Sequence, residues 1–131
     1  MRKILFLFVL STLLSCKQEI TDADISNLNG YWEIEKVELP DGDKKEYKVN
    51  ETIDFFKIET NKGFRKKVMP QLDGTYLTND IQEDVVIVIK DGDATIQYKT
   101  TYASWKEEII ELSKEKLVVK SQQEIEYHYK R

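Results

Sequence analysis

The chain has 131 residues, with 24 acidic and 20 basic side chains and a formal charge of −4. That length allows one domain. The acidic balance argues against nucleic acid as a partner and against an electrostatic grip on anionic lipid.

Residues 1–15 read as a secretory signal. Arg2 and Lys3 form a positive start, Ile4 to Leu10 is an unbroken apolar run, and Leu13-Leu14 resume it before Ser15. The stretch is too short for a membrane-spanning helix. Leu13-Leu14-Ser15-Cys16 resembles the bacterial lipobox, and Cys16 is the only cysteine. The resemblance implies cleavage before Cys16 and acylation of its thiol and new amine, so that membrane lipid holds the protein. Acyl chains at about 0.8 kcal/mol per buried methylene make a durable anchor. Cleavage would remove two basic residues, leaving 18 against 24 acidic, a charge of −6. Lys17 stands where an Asp implies inner-membrane retention in enterobacteria. The resemblance therefore points to the outer membrane of a Gram-negative cell envelope. Lys17-Gln18-Glu19 also resembles the short charged export signals of some Bacteroidetes surface lipoproteins.

Residues 16–27 are then expected to be the lipidated Cys and a polar tether, because Asp22, Asp24, Ser26 and Asn27 favour turns. From Leu28 to Arg131 the pattern is β. Strand one runs about Tyr31 to Leu39, and the change of apolar phase from Trp32 and Ile34 to Val37 and Leu39 predicts a bulge near Glu35-Lys36. Pro40 to Asp43 is a turn, and Lys44 to Val49 a short edge piece. Strands follow over Thr52 to Thr60, Phe64 to Met69 and Thr75 to Thr78. The β-branched run Val85 to Ile89 reads as buried on both faces. Asp91-Gly92 is a strong hairpin signal.

Asp93 to Tyr102 alternates, with Ile96, Tyr98, Thr100 and Tyr102 on one face. Ser104-Trp105-Lys106-Glu107 matches a helical capping box, but a strand over Trp105 to Leu112 with a turn at Ser113 to Lys116 and a return through Leu117-Val118-Val119 is preferred. The last run, Gln123 to Arg131, puts Ile125, Tyr127 and Tyr129 on one face and the lone His128 on the polar one. That many short, closely connected strands predict an antiparallel meander, and eight of them close into an up-and-down barrel.

Gly30-Tyr31-Trp32 matches the Gly-x-Trp signature of the lipocalins, and Leu28 to Val37 with the ending Leu112 to Arg131 resembles the short lipocalin-like domains of bacterial lipoproteins. The resemblance implies an all-β, small up-and-down antiparallel barrel, lipocalin-like, with a small-ligand or partner-binding role. It also implies a basic residue of the last strand across the Trp. Barrel closure brings the two ends of the chain together, so Arg131 is the expected partner of Trp32.

The candidate ligand-binding residues are Tyr98, Tyr102, Tyr127 and Tyr129, each on an apolar phase, where a ring is buried and a hydroxyl kept for a partner. Their rings are expected to converge with Trp32 and Phe55. His128 is expected to be solvated, and so is the basic triplet Arg65-Lys66-Lys67. Asp41-Gly42-Asp43 and Asp91-Gly92-Asp93 read as turns, not Ca²⁺ loops. No nucleophile–base pair, metal cluster or cofactor motif stands out. Two roles remain: a barrel that binds a small apolar or amphipathic ligand, or a filled barrel that docks to an envelope protein as a subunit or inhibitor.

Overall fold

The computed structural model describes residues 17–79 and 81–131. Cys16 and the signal lie outside the described residues. Ten strands follow a 3-10 helix, Asp22–Leu28. They are β1 (Gly30–Glu38), β2 (Lys44–Glu46), β3 (Ile53–Glu59), β4 (Lys62–Pro70), β5 (Tyr76–Thr78), β6 (Glu83–Lys90), β7 (Asp93–Lys99), β8 (Ser104–Leu112), β9 (Lys116–Ser121) and β10 (Glu126–Lys130).

All pairings are antiparallel. The order β10-β9-β8-β7-β6-β4-β3-β1 closes through β10 on β1, which makes an eight-stranded barrel. The two three-residue strands are flaps: β2 extends the edge of β1, and β5 extends β4. In β1 the register against β10 shifts between Ile34 and Lys36. The bulge lets Trp32 and Ile34, then Val37, turn inward although their spacing changes from even to odd.

Period-two alternation fills one half of the interior with apolar side chains. Trp32, Phe56, Val85, Ile96, Ile109, Leu112, Leu117 and Val119 are buried there. Ser104–Leu112 is a strand, so the capping-box pattern of that segment does not produce a helix. Trp105, Glu107 and Ile109 also alternate, and pairing with both β7 and β9 satisfies their backbone.

Three expectations need correction. Residues 17–27 are not a free tether. Ile20, Ile25 and Leu28 are buried in the core, each contributing about 1.5–3 kcal/mol. The segment is also tied down by polar contacts. Gln18 N–H donates to Ile110 O at 2.9 Å, Ile20 N–H donates to Gly92 O at 3.0 Å, and Leu112 N–H donates to the Gln18 side chain at 2.9 Å. The β6 run is not buried on both faces, since Val86 and Val88 are 36% and 41% exposed. In a single-layer barrel only one face of each strand meets the core. Finally, Phe55 points outward, where it packs on Tyr31 and Phe64. The inward phase of β3 is Asp54, Phe56 and Ile58.

Candidate functional site

The two ends of the barrel are closed differently. At one end the 3-10 helix forms a lid, with Trp32 beneath it and its indole N–H donating to Leu28 O at 2.8 Å. The Arg131 guanidinium lies over the Trp32 ring at 3.9 Å. Its nitrogens donate to Lys114 O at 2.6 Å, Asn29 O at 2.5 Å and Asn27 O at 2.6 Å. Gly30 has φ +111°, and a Cβ there would stand 2.9 Å from Arg131 Nη1. The glycine is needed twice, for its backbone angle and for the space the guanidinium occupies. Asn29 completes the seal by bonding Ile58 through both its amide atoms.

The opposite end is an open mouth. Two adjoining clefts of about 380 and 320 Å³ share Lys67, Tyr127 and Tyr129 in their walls. The first reaches Trp32, Ile34 and Asp54; the second reaches Arg65, Trp105 and Glu107. A shallow groove of about 560 Å³ runs along β6, β7 and β8, bordered by the exposed Asp84, Gln97, Lys99 and Lys106.

Below the mouth lies a set of charges, largely buried except for Lys67 at its exposed edge, and strand register explains its pairing. Asp54 faces Lys67 across β3 and β4, and their side chains meet at 2.6 Å. Arg65 faces inward Phe56 on one side and Glu83 on the other. It pairs with Glu83, with Nε donating at 2.7 Å, and its guanidinium stacks over Tyr98 at 4.1 Å. A desolvated contact of that kind is worth about 2 kcal/mol. Glu107 has no such cation opposite it, because its cross-strand neighbours are Ile96 and Ser121. Among the described residues its cationic contact is Arg65 Nη1 at 3.8 Å, across the barrel.

Burial pushes the Glu107 carboxyl above its ordinary range, although the Tyr98 hydroxyl and Arg65 both favour the carboxylate. Burial also pushes the Tyr98 and Tyr129 phenols well up, so both keep their protons. For Arg65, burial alone would favour loss of the proton. Tyr98, Asp54 and Glu83 outweigh it and hold the group above its usual value.

The structure divides the candidate tyrosines. Tyr98 and Tyr129 are buried at the floor of the mouth, and Tyr127 is half-buried in its wall. Tyr102 is not part of the set. It is 97% exposed in the β7–β8 turn, where Thr100 Oγ1 accepts from the N–H groups of Tyr102 and Ala103. The strand ends at Lys99, so the alternation that assigned Tyr102 inward runs past its structural support.

Two further expectations change. Of the basic triplet, Lys66 is half-buried on the outer wall with its ammonium over the Phe64 ring at 5.2 Å, Lys67 is exposed, and Arg65 is a core residue with its side chain 12% exposed. His128 is half-buried rather than solvated, facing Glu38 at 3.8 Å; burial, followed by Lys36, lowers its pKa. Glu38, Glu126 and His128 are the one metal-competent group among the described residues, with ligand atoms within 4.8 Å of one another. Lys36 and Lys44 already pair with Glu38 at 3.3 and 3.4 Å, so the trio is an ion-pair cluster.

Sequence reasoning missed Asp54, Arg65, Glu83 and Glu107. A signal existed for Asp54: Lys57 and Glu59 fix the outward phase of β3, which leaves Asp54 inward with Phe56 and Ile58. Residues 28–119 match the lipocalin-like domain profile. The chain belongs to the lipocalin-like domain family. Its fold also resembles the crystal structure of a lipocalin-like protein from Bacteroides uniformis, with a TM-score of 0.51 at 12% identity, over 80% of this chain and 98% of that one. An uncharacterized protein from Bacteroides eggerthii gives a TM-score of 0.49 at 13% identity, over 79% and 98% of the two chains. A search of curated proteins found no match. Within the lipocalin-like frame, Gly30, Trp32 and Arg131 belong to the closed end, and the half-open polar mouth lies opposite it.

Proposed function

We propose that this lipocalin-like domain is a lipid-anchored envelope protein whose mouth takes up a small amphipathic molecule. The carrying observation is the mouth itself. Clefts of about 380 and 320 Å³ open onto Trp105, Tyr127 and Tyr129 above buried polar groups. Aromatic rings set among charged and polar side chains suit a ligand with one polar end. The apolar half of the barrel is packed solid, so the ligand is shallow rather than swallowed.

The lipobox reading supplies the location, an outer membrane held through acylated Cys16. Lys17 pairs with Asp93 at 2.7 Å and with Glu108. An acyl group on Cys16 would therefore hold the barrel at the bilayer with almost no spacer. The test of both parts is native mass spectrometry of protein purified from its own cells. The expected spectrum shows an acylated Cys16 and a retained small molecule. An unmodified Cys16 would remove the anchor, and an empty protein under all gentle conditions would remove the ligand.

One observation favours the docking role instead. On the outer wall Tyr31 stacks on Tyr76 at 4.1 Å and packs on Phe55, and the Tyr31 and Tyr76 side chains are exposed. Exposed apolar patches of this kind mark partner surfaces. A stoichiometric envelope protein in the same spectrum, lost on Tyr31→Glu, would support docking over uptake.

A further inference from the structure

Counting the charges around the buried Glu107 sharpens the ligand's chemistry, and this step rests on the mouth being a ligand site. Two cations, Arg65 and Lys67, stand among three carboxylates, Asp54, Glu83 and Glu107. Register assigns Lys67 to Asp54 and Arg65 to Glu83. Glu107 is the carboxylate left over. Its side chain is 10% exposed, and its Oε1 is fully buried with no hydrogen-bond partner. A buried acceptor left without a partner carries a desolvation cost, larger when charged, that a donor arriving there offsets.

Arg65, the buried cation of the mouth, is poorly placed to greet an anion. Glu83 takes its Nε edge, and Tyr98 covers its face. Lys67 and Lys106 stand at the exposed rim of the cleft, with Lys67 held by Asp54. The walls favour a positive group as well, because Trp105, Tyr127 and Tyr129 line the same cleft as Glu107, and aromatic faces attract cations. We infer that the mouth selects amphiphiles with an ammonium head, which donates to Glu107 while the apolar chain lies against Trp105 and Tyr127. The head brings the one positive charge that the cluster lacks and the hydrogen bonds that Oε1 lacks.

The test compares three probes of equal chain length by isothermal titration calorimetry, below their micelle concentrations: dodecylammonium, dodecanoate and dodecanol. The expected result is dodecylammonium binding at least ten-fold tighter than either of the others. Glu107→Gln should weaken dodecylammonium ten-fold or more, while Glu111→Gln, on the outer face of the same strand, leaves it unchanged. Should Glu107→Gln fail to fold, Glu107→Asp keeps the charge and is expected to keep the preference for the amine. Dodecanoate or dodecanol binding as tightly as the amine, or an amine affinity equal in wild type and Glu107→Gln, would overturn the inference and leave the ligand site standing. Silence from all three probes would overturn the ligand site itself, and the inference with it.

Discussion

The closed end and the mouth are made by the same eight strands, yet they handle polar groups in opposite ways. At the closed end every polar group named above has a partner. Arg131 makes three carbonyl contacts and covers an indole, and Asn29 bonds β3 twice. At the mouth, five charged side chains cluster, and two acceptor oxygens, Asp54 Oδ1 and Glu107 Oε1, make no hydrogen bond, although Lys67 Nζ stands 2.6 Å from the first. A buried ion pair is weak evidence for stability, because desolvation can exceed the Coulombic gain. The closed end therefore carries the fold, and the mouth carries a cost that a ligand can offset. Cores built only for stability do not retain such groups without reason.

Mutations can sharpen that contrast. The largest effect is expected at Trp32→Ala, about 3–5 kcal/mol in chemical denaturation, since it removes a fully buried indole from the closed end. Ile20→Ala should cost about 2–4 kcal/mol by the same measurement, although Ile20 precedes the first strand. A loss near zero would restore the tether reading of residues 16–27. Arg131→Ala should cost about 1–2 kcal/mol, and a double-mutant cycle with Trp32→Phe should show coupling between the two.

The mouth gives a smaller and pH-dependent signal. The Glu107 carboxyl has a raised pKa in the fold, so its titration favours the folded state at low pH. That contribution is fully present below the ordinary glutamate range, about 4.3, and is lost as pH rises through the folded value. Glu107→Gln has no such titration. Its stability relative to wild type should therefore improve steadily from about pH 4 towards neutral pH. A pH-independent difference between the two proteins would mean that Glu107 titrates normally and that the contrast between the ends is overstated.

Much of the scaffold was readable in the amino-acid order, because barrel strands announce themselves by alternation and turn residues. The change of phase between Ile34 and Val37 coincides with the register shift in β1. The strand over Ser104–Leu112 was recognisable despite its helical spacing. What escaped depends on contacts distant in sequence. Ile20, Ile25 and Leu28 have no strand period, and only the open barrel end they cover gives them a reason to be buried. Arg65 looks like one of three surface cations until β3 and β6 supply Phe56 and Glu83 as neighbours. The tyrosines were half legible. Alternation identified Tyr98 and Tyr129, but it could not say that β7 stops before Tyr102.

The chain's two tryptophans meet the mouth differently: the Trp32 indole N–H is tied under the lid to Leu28 O while its ring reaches one cleft, and Trp105 stands in the wall of the cleft that holds Glu107. The most direct test of a ligand-binding mouth on a structural base is therefore a proton–nitrogen correlation spectrum followed during titration with the dodecyl amphiphiles. The two indole N–H signals are assigned by Trp32→Phe and Trp105→Phe. The account predicts that the Trp105 signal moves saturably while the Trp32 signal, held by its bond to Leu28 O, stays in place. A Trp32 signal that moves while Trp105 stays fixed, or two signals that never move, would contradict it.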